Sequence, residues 1–416
     1  MAIPPTDKAL SREAKLLLIL QALFQLATNL SNLFVSIYLW RMEKDFILVG
    51  KYHLMLFICS TLTFIVSGRL VAKWGQAIIY RMGLFSHAVF FTIILLLQER
   101  TSAYAIPLGM TLGVSLGFYW LAFHVLSYDF TEPNNRSRFF GLHGLVMSCA
   151  GVSGPLIAGI LLNQLSGLTG YRLIFSISLL LMVITGALSF LLRAARPVTS
   201  YQLGSILFSP HWSRSWKRFL TGTFWFGFRE GIFMFLISLL VYISTVSEMS
   251  LGWVTSLNST LSIGAFYLVG RMMRPDNRGK YLLIGAATIL SATAILTYEI
   301  SFYTLLIFGL VNALFIPCLA VPFATLGYDV INQDPLAHER RTEYIVVREL
   351  FLNLGRVIPV GCFILLFVPD HPLLLKLFLM LPSLALVGVW WYLRKLDAMG
   401  RQGLNTQSIG KKGVQS

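Results

Sequence analysis

Five ionisable residues lie inside long apolar stretches of the second half of this sequence: Arg229, Glu230, Arg348, Glu349 and Arg356. A charged side chain at the centre of a bilayer costs about 2.5 to 3.5 kcal/mol on insertion scales, so such residues usually face a cavity or one another. A buried arginine keeps its charge, which leaves the two glutamates as groups that can take up and release a proton. The pattern predicts a proton-coupled binding site, with a static network of salt bridges as the alternative.

Glu230 is the first choice for the proton-carrying group because of its depth. Arg229 and Glu230 lie about 10 residues, or about 15 Å along a helix, into their apolar stretch. Glu349, Asn353 and Arg356 are spaced i, i+4 and i+7, which places them on one helix face that could border a cavity or contact the stretch holding Glu230. Three arginines against two glutamates leave a net charge of +1, a hint of an anionic substrate.

The first half contributes polar side chains without charge. These are Gln21, Gln25, Asn29 and Asn32, on one face of the first apolar stretch, and Tyr119, Trp120 and His124 in the fourth. Such side chains either line a wet cavity or form hydrogen bonds between helices, which are common in membrane bundles. We predict that they line the same cavity as the charged residues, and hydrogen bonding between helices is the alternative.

These residues belong to a chain of 416 residues that is 56% hydrophobic and only 12% charged, against about 25% charged in soluble proteins. This balance excludes a water-soluble enzyme. A transmembrane helix needs about 20 apolar residues, so the long runs predict an all-α membrane protein. We place twelve spans at about residues 15–40, 47–72, 77–98, 104–129, 137–162, 171–193, 219–245, 250–271, 281–300, 302–328, 342–368 and 372–393.

The distribution of Lys and Arg predicts the topology. With the N-terminus inside, the inside segments hold 24 of the 33 Lys and Arg residues and the outside loops hold six. Because cytoplasmic loops collect basic residues, we expect a multi-pass plasma membrane protein with both termini in the cytoplasm. The net charge of +15 follows from the same bias, so no nucleic acid partner is expected.

A weak internal repeat divides the chain into halves. An offset of 202 residues pairs Ser36 with Ser238, Gly50 with Gly252, and Gly68-Arg69 with Gly270-Arg271. We predict a six-helix bundle over residues 1–193, a cytoplasmic linker over 194–218, a second six-helix bundle over 219–394 and a flexible tail over 395–416. Two such bundles related by a pseudo-twofold axis along the membrane normal are typical of carriers that work by alternating access.

Three short motifs support this reading. They are Gly68-Arg69-Leu70-Val71-Ala72-Lys73-Trp74-Gly75, then Asp129 followed by Arg136 and Gly141, and Gly154-Pro155 in the fifth span. Together they resemble motifs of the major facilitator superfamily. The resemblance implies a substrate site between helices 1, 4, 7 and 11 and a latch on the cytoplasmic side. Because Ala72 stands where that family usually has Asp, the latch would depend on Asp129 with Arg136 or Arg138.

We therefore expect a monomeric secondary transporter that is coupled to protons. Export of small organic or amphipathic compounds is the expected direction, since Gly154-Pro155 resembles a signature of antiporters in that family. The alternatives are proton-linked uptake of an anionic metabolite, flipping of a lipid and, more distantly, a multispan enzyme acting on a lipid-linked substrate. Neither a phosphate-binding loop ending in Gly-Lys-Ser/Thr nor a His-Glu-x-x-His motif occurs in the sequence, so we expect no cofactor and no metal.

Overall fold

A computed structural model of the chain describes residues 9–132, 135–165, 168–193, 201–209, 212–331, 333, 340–368 and 371–412, without the side chains of 136, 137 and 397–412. Within these ranges the regular structure is helical, without strands, which confirms the all-α prediction. The α-helices are α1 (Arg12–Glu43), α2 (Phe46–Trp74), α3 (Gln76–Leu97), α4 (Ala105–Asp129), α5 (Arg136–Gln164), α6 (Thr169–Ser189), α7 (Leu203–Leu207), α8 (Arg214–Thr245), α9 (Glu248–Met272), α10 (Arg278–Tyr298), α11 (Phe302–Phe315), α12 (Pro317–Ile331), α13 (Arg341–Leu366) and α14 (Pro372–Lys412).

Eleven stretches of the described chain are long and apolar enough to cross a membrane. One of them, Phe302–Ile331, contains both α11 and α12, which are separated at Ile316 where Pro317 begins the second helix. Each of the twelve predicted spans lies on one of these stretches or on α9. Although α9 has 25 residues, it is rich in Ser, Thr and Asn and falls outside the eleven.

Tight turns join the first three helices. Ser11 and Asp45 each accept a hydrogen bond from a backbone N–H of the first turn that follows them, which begins α1 and α2. Lys44 between α1 and α2 has a left-handed backbone with φ 51°, and Gly75 between α2 and α3 has φ 86°. A glycine carries no steric penalty in this region, so Gly75 of the first motif suits the turn that it makes.

Contacts between residues divide the chain into two compact units, each discontinuous in sequence. Unit one consists of Met1–Leu203, Met234–Thr260 and Val360–Phe367, and unit two of Gly204–Phe233, Leu261–Pro359 and Val368–Ser416. The bundle boundaries inferred from the sequence stay a prediction, and part of the predicted linker, residues 194–200, 210 and 211, lies outside the described residues. In the region of the predicted tail, the backbone of α14 continues as helix to Lys412.

Glycines allow close helix packing in unit one. Gly109, Gly113 and Gly117 recur every four residues along α4 and face α2. A Cβ atom added at Gly117 would lie 2.9 Å from the backbone oxygen of Ser60, and the other two glycines leave even less room. Because small residues let helix backbones approach closely in membranes, this row of glycines holds α2 against α4.

A second glycine contact joins α8 to α13 in unit two. Gly227 and Gly231 of α8 face the backbone oxygens of Leu352 and Arg356, and Gly355 of α13 faces α8 in turn. A Cβ atom at Gly231 would lie 2.5 Å from the oxygen of Arg356. The two backbones are therefore close enough for side chains beside these glycines to meet across the helix pair.

Candidate functional site

Glu230 and Arg356 form an ion pair between α8 and α13 in unit two. Nη2 of Arg356 donates to Oε2 of Glu230 at 2.6 Å, and Nε donates to the same oxygen at 3.1 Å. The side chain of Glu230 is 28% exposed and that of Arg356 is 20% exposed, so the pair is half-buried. The pairing follows from the glycine contact, which brings the two helices together beside these residues.

Asn353 orients the arginine of this pair. Its side chain is buried, and its Oδ1 accepts a hydrogen bond of 2.9 Å from Nη1 of Arg356. The spacing i and i+3 places both residues on one face of α13. The sequence predicted this shared face, and the structure directs it toward Glu230 of α8.

Arg348 and Glu349, neighbours in α13, pair with each other. Nη2 of Arg348 donates to Oε1 of Glu349 at 2.6 Å, and Nε donates at 3.2 Å. The side chains are 23% and 12% exposed. Both predicted glutamates of the membrane region thus have an arginine partner.

Arg229 lies in a different environment from the other two arginines. Its residue is 6% exposed, its Nη2 donates to Oδ1 of Asn312 at 2.6 Å, and its Cζ lies 4.5 Å from the ring centroid of Phe233. Its Nε is buried without a hydrogen-bond partner. Among the described residues, no carboxylate lies within 4.0 Å of this guanidinium. A charge buried in this way is costly unless something compensates it.

The polar stripe of α1 meets α4 inside unit one. Tyr119 is fully buried, stacks on Phe24 with a centroid distance of 3.5 Å, and donates a hydrogen bond to Oε1 of Gln21. One turn further on, Nδ2 of Asn29 donates to the backbone oxygen of Gln25 at 2.8 Å and to its side-chain oxygen at 3.2 Å. These residues therefore take part in hydrogen bonding between and within helices, the alternative that the sequence left open.

Other predicted side chains of unit one are less buried. Trp120 and His124 stack on each other along α4 with a centroid distance of 5.8 Å, and both are half-buried. Asn32 of α1 is also half-buried, but its Oδ1 is enclosed without a hydrogen-bond partner. Asn29 is half-buried as well, so these four are the members of the set with surface left to offer a ligand.

The glycine motifs are packing contacts. A Cβ atom at Gly68 would enter the ring of Tyr201, so the absence of a side chain makes room for that ring. A Cβ atom at Gly154 would lie 2.7 Å from Cβ of Asn29, and Pro155 follows inside α5. The Gly-Pro motif thus holds α5 against the polar stripe of α1.

Asp129, the proposed latch residue, ends α4 and accepts a hydrogen bond of 2.7 Å from Nε2 of Gln76 at the start of α3. Arg138 is exposed. Arg136 is the first residue of α5, but its side chain lies outside the described residues, so its predicted pairing with Asp129 stays a prediction. Gln76 was not singled out from the sequence, because a glutamine next to Gly75 reads as an ordinary helix start.

Arg41 and Glu248 form a charged cluster in unit one, on the side predicted to be extracellular. Nη1 of Arg41 lies 2.7 Å from Oε1 of Glu248, which also accepts a hydrogen bond of 3.0 Å from the hydroxyl of Tyr171. Below this cluster Gly252 of α9 contacts Gly159 of α5, and a Cβ atom at Gly252 would lie 3.2 Å from Cα of Gly159. The cluster ties the end of α1 and the starts of α6 and α9 together.

The sequence reasoning missed both this cluster and Asn312. Arg41 and Glu248 are separated by 207 residues, and each reads as an isolated loop charge. Asn312 did leave a signal, since it is the one amide in the apolar helix α11, and a lone polar residue in such a helix usually has a partner.

Comparison with known proteins identifies the family to which this chain belongs. The sequence profile of the Major Facilitator Superfamily matches residues 17–359. The uncharacterized protein YqgE of Bacillus subtilis (strain 168) is 37% identical over 395 residues, which cover 94% of this chain and 91% of that protein.

Solved transporter structures share the fold. An auto-inhibited POT family peptide transporter matches with a TM-score of 0.74 at 12% identity, covering 92% of this chain and 97% of that one. A bacterial homologue of the iron transporter ferroportin in the outward-facing state matches with a TM-score of 0.65 at 16% identity, covering 93% and 100%. These structures show similarity of fold alone, whereas the profile match confirms the resemblance seen in the motifs. The chain belongs to the Major Facilitator Superfamily and is a multi-pass transmembrane transporter rather than an enzyme.

Proposed function

We propose that this transporter works by alternating access and couples the movement of a small organic compound to protons, with Glu230 as the proton-carrying residue. The ion pair between Glu230 and Arg356 is the observation that carries the proposal. In such a pair only the carboxylate can change its charge, because a guanidinium does not lose its proton in proteins. A proton on Glu230 therefore removes the countercharge of Arg356.

The pair offers a physical route from protonation to binding. While Glu230 is ionised, it occupies the Nε and Nη2 donors of Arg356. Once Glu230 is protonated, these donors become available to a polar group of the substrate, and Asn353 still holds the guanidinium through Nη1. Protonation thus favours a substrate group that binds to Arg356, which is the sign of coupling that uptake requires, whereas export requires a substrate that competes with the proton at Glu230 itself.

Export of small organic or amphipathic compounds is the direction that the antiporter-like Gly154-Pro155 motif supports. We place the protein in the plasma membrane with both termini cytoplasmic, because basic residues concentrate on the predicted inner side. We propose that it works as a monomer. In unit two, the residues proposed to contact the substrate are Arg229, Arg356 and Asn353.

Uptake of an anionic metabolite together with a proton is the second candidate. The buried charge of Arg229 favours it, because this guanidinium has a neutral amide as its hydrogen-bond partner. The two candidates differ in the sign of coupling. A proton gradient drives its substrate in the direction of proton flow in the uptake mechanism and against it in the export mechanism.

A flux assay with purified protein in liposomes under an imposed pH gradient tests the proposal. A panel of radiolabelled organic acids, amines and neutral amphipathic compounds is compared for the native chain, for Glu230→Gln and for the control Glu299→Gln, which alters an exposed carboxylate. We expect gradient-driven accumulation in the native chain and the control, and only exchange without accumulation in Glu230→Gln. Accumulation that Glu230→Gln retains in full would show that another group carries the proton.

A further inference from the structure

Arg229 is a buried cation that has no carboxylate within 4.0 Å among the described residues. Of the three arginines of the candidate site in unit two, Arg348 and Arg356 each have a carboxylate at 2.6 Å. Arg229 has the amide oxygen of Asn312 at the same distance. A guanidinium offers five N–H donors, and Arg229 makes one hydrogen bond to the described residues.

The surroundings hold this guanidinium in a fixed position. Asn312 of α11 fixes Nη2, and Phe233, one helical turn after Arg229 in α8, covers one face of the group at 4.5 Å. Nε stays buried without a partner. Planar donors that are held in place in this way suit a carboxylate, which arginine binds with two parallel hydrogen bonds.

We propose that Arg229 binds the anionic group of the substrate and that the substrate class is small organic acids carrying one carboxylate. The inference rests on the uptake candidate of the proposed function, because it assigns the anionic ligand of that same transporter. The anion would place a negative charge in direct contact with Arg229 and would accept hydrogen bonds from Nε and from the donors that Asn312 does not use. Phe233 would then lie against the face of the guanidinium, beside the apolar part of the acid.

The neighbouring Glu230 sets the pH dependence of this binding. Its negative charge, one residue from Arg229 in α8, opposes the approach of a second anion while Glu230 is ionised. Arg356 lies across from Glu230, and Asn312 is the polar group that faces Arg229. Protonation of Glu230 removes the opposing charge, so the acid and the proton bind together. This is the sign of coupling that uptake requires.

A nearly isosteric variant, Asn312→Asp, separates a binding role of Arg229 from a structural one. It places a carboxylate at the atom that Arg229 already contacts, so an internal ion pair should form and occupy the guanidinium. We expect the unfolding temperature of the unliganded protein in detergent to rise. We also expect the affinity for organic acids to fall by about tenfold or more, which corresponds to 1.4 kcal/mol or more.

The probes are acetate, benzoate, 3-phenylpropionate and octanoate, each compared with its amide and with the corresponding amine, and binding is followed by the rise in unfolding temperature and by calorimetry. Native protein should bind at least one acid more tightly than its amide and amine.

Arg229→Gln should lose this preference and Arg229→Lys should keep part of it. The control Lys51→Gln, which removes an exposed charge, should behave as native protein. Acid binding should strengthen as pH falls in native protein and become independent of pH in Glu230→Gln.

Two results would overturn the inference. One is an Asn312→Asp protein that unfolds at a higher temperature and still binds the acids as native protein does, because Arg229 would then be a structural charge. The other is a panel in which no acid binds more tightly than its amide. The proposal of proton coupling has a separate test. If acids bind through Arg229 but a pH gradient does not drive their flux, proton coupling is contradicted, whereas the assignment of Arg229 as the anion site still holds.

Discussion

Arg356 donates two hydrogen bonds, from Nε and Nη2, to a single carboxylate oxygen of Glu230, Oε2. The other oxygen, Oε1, makes no hydrogen bond to the described residues, and the side chain is 28% exposed. A proton can therefore be added at Oε1 while the contact with Arg356 still exists. The ion pair then weakens because its charge is lost, without first having to separate.

Removing Arg356 alone should destabilise the protein more than removing both partners. Arg356→Gln leaves the Glu230 charge in the membrane without a partner, and breaking a buried pair in this way costs about 3 to 5 kcal/mol. Because both side chains are partly exposed, we expect the loss of stability at this site to be smaller than that range. Unfolding temperatures of Arg356→Gln, Glu230→Gln and the double variant measure the difference. A double variant less stable than Arg356→Gln would contradict the pairing.

Breaking the Arg41–Glu248 contact should open the predicted extracellular side of unit one. Glu248→Gln removes the charge that holds the end of α1 to the start of α9, while Tyr171 can still donate to the amide oxygen. A reporter cysteine at Ser256, which is 4% exposed, would then react faster with a membrane-impermeant maleimide. The expected increase is severalfold, measured in a chain whose four native cysteines have been replaced.

Arg100→Gln is the control for this experiment, because Arg100 is an exposed basic residue on the same predicted side and should leave the labelling rate unchanged. An equal increase in both variants would mean that the contact between Arg41 and Glu248 does not determine access to position 256.

A single methyl group at Gly252 should disturb the same region. A Cβ atom there would lie 2.5 Å from the backbone oxygen of Pro155, and overpacking of this kind costs about 1 to 3 kcal/mol. We expect Gly252→Ala to lower the unfolding temperature and to raise the labelling of the reporter at position 256. Gly264→Ala is the matched control in the same helix, since no atom lies within 4 Å of its added Cβ.

Alanine is favoured over glycine in helices by about 1 kcal/mol, so Gly264→Ala should be as stable as native protein or slightly more so. Equal unfolding temperatures for the two variants would mean that α9 does not depend on its close approach to Pro155.

The hydrogen bond between Gln76 and Asp129, rather than the charge of Asp129, should maintain the junction of α3 and α4. Asp129→Asn keeps an oxygen that can accept from Nε2 of Gln76 and should retain flux within about twofold. Asp129→Leu loses the acceptor, which is worth about 0.5 to 1.5 kcal/mol, and should be less stable and less active. If Asp129→Asn abolishes flux as fully as Asp129→Leu, the charge is required, as a latch to Arg136 would demand.

The fold was predictable because membrane spans are set by local composition. Apolar runs of about 20 residues leave a chain few alternatives to transmembrane helices, and even the interruption near Pro317 is visible in the sequence. The span at α9 was predicted as well, although its Ser, Thr and Asn residues leave this helix outside the eleven apolar stretches. Its partners in unit one, such as Val152, which accepts a hydrogen bond of 2.7 Å from Ser256, satisfy part of this polarity.

The charged residues of the candidate site are evident from the sequence, but their pairing is not. Charges inside apolar runs are conspicuous, so Glu230 and Arg356 could be named although they are 126 residues apart. Which arginine takes which carboxylate depends on the approach of α8 and α13 at their glycines, and this distance has no local signal. Tyr119 illustrates the same limit, because a tyrosine on α4 can face a ligand or, as the structure has it, Phe24 and Gln21.

The net charge of the five candidate-site residues in α8 and α13 has an electrical consequence. With Arg229, Arg348 and Arg356 against Glu230 and Glu349, the empty site carries +1. A monovalent acid and one proton arriving together leave this total unchanged, so the loaded and the empty carrier move the same charge through the membrane field. A potential of 100 mV acts on a full elementary charge with about 2.3 kcal/mol, but in such a cycle the two contributions cancel. Accumulation of the acid would then follow the pH difference alone, and clamping the voltage would not alter it.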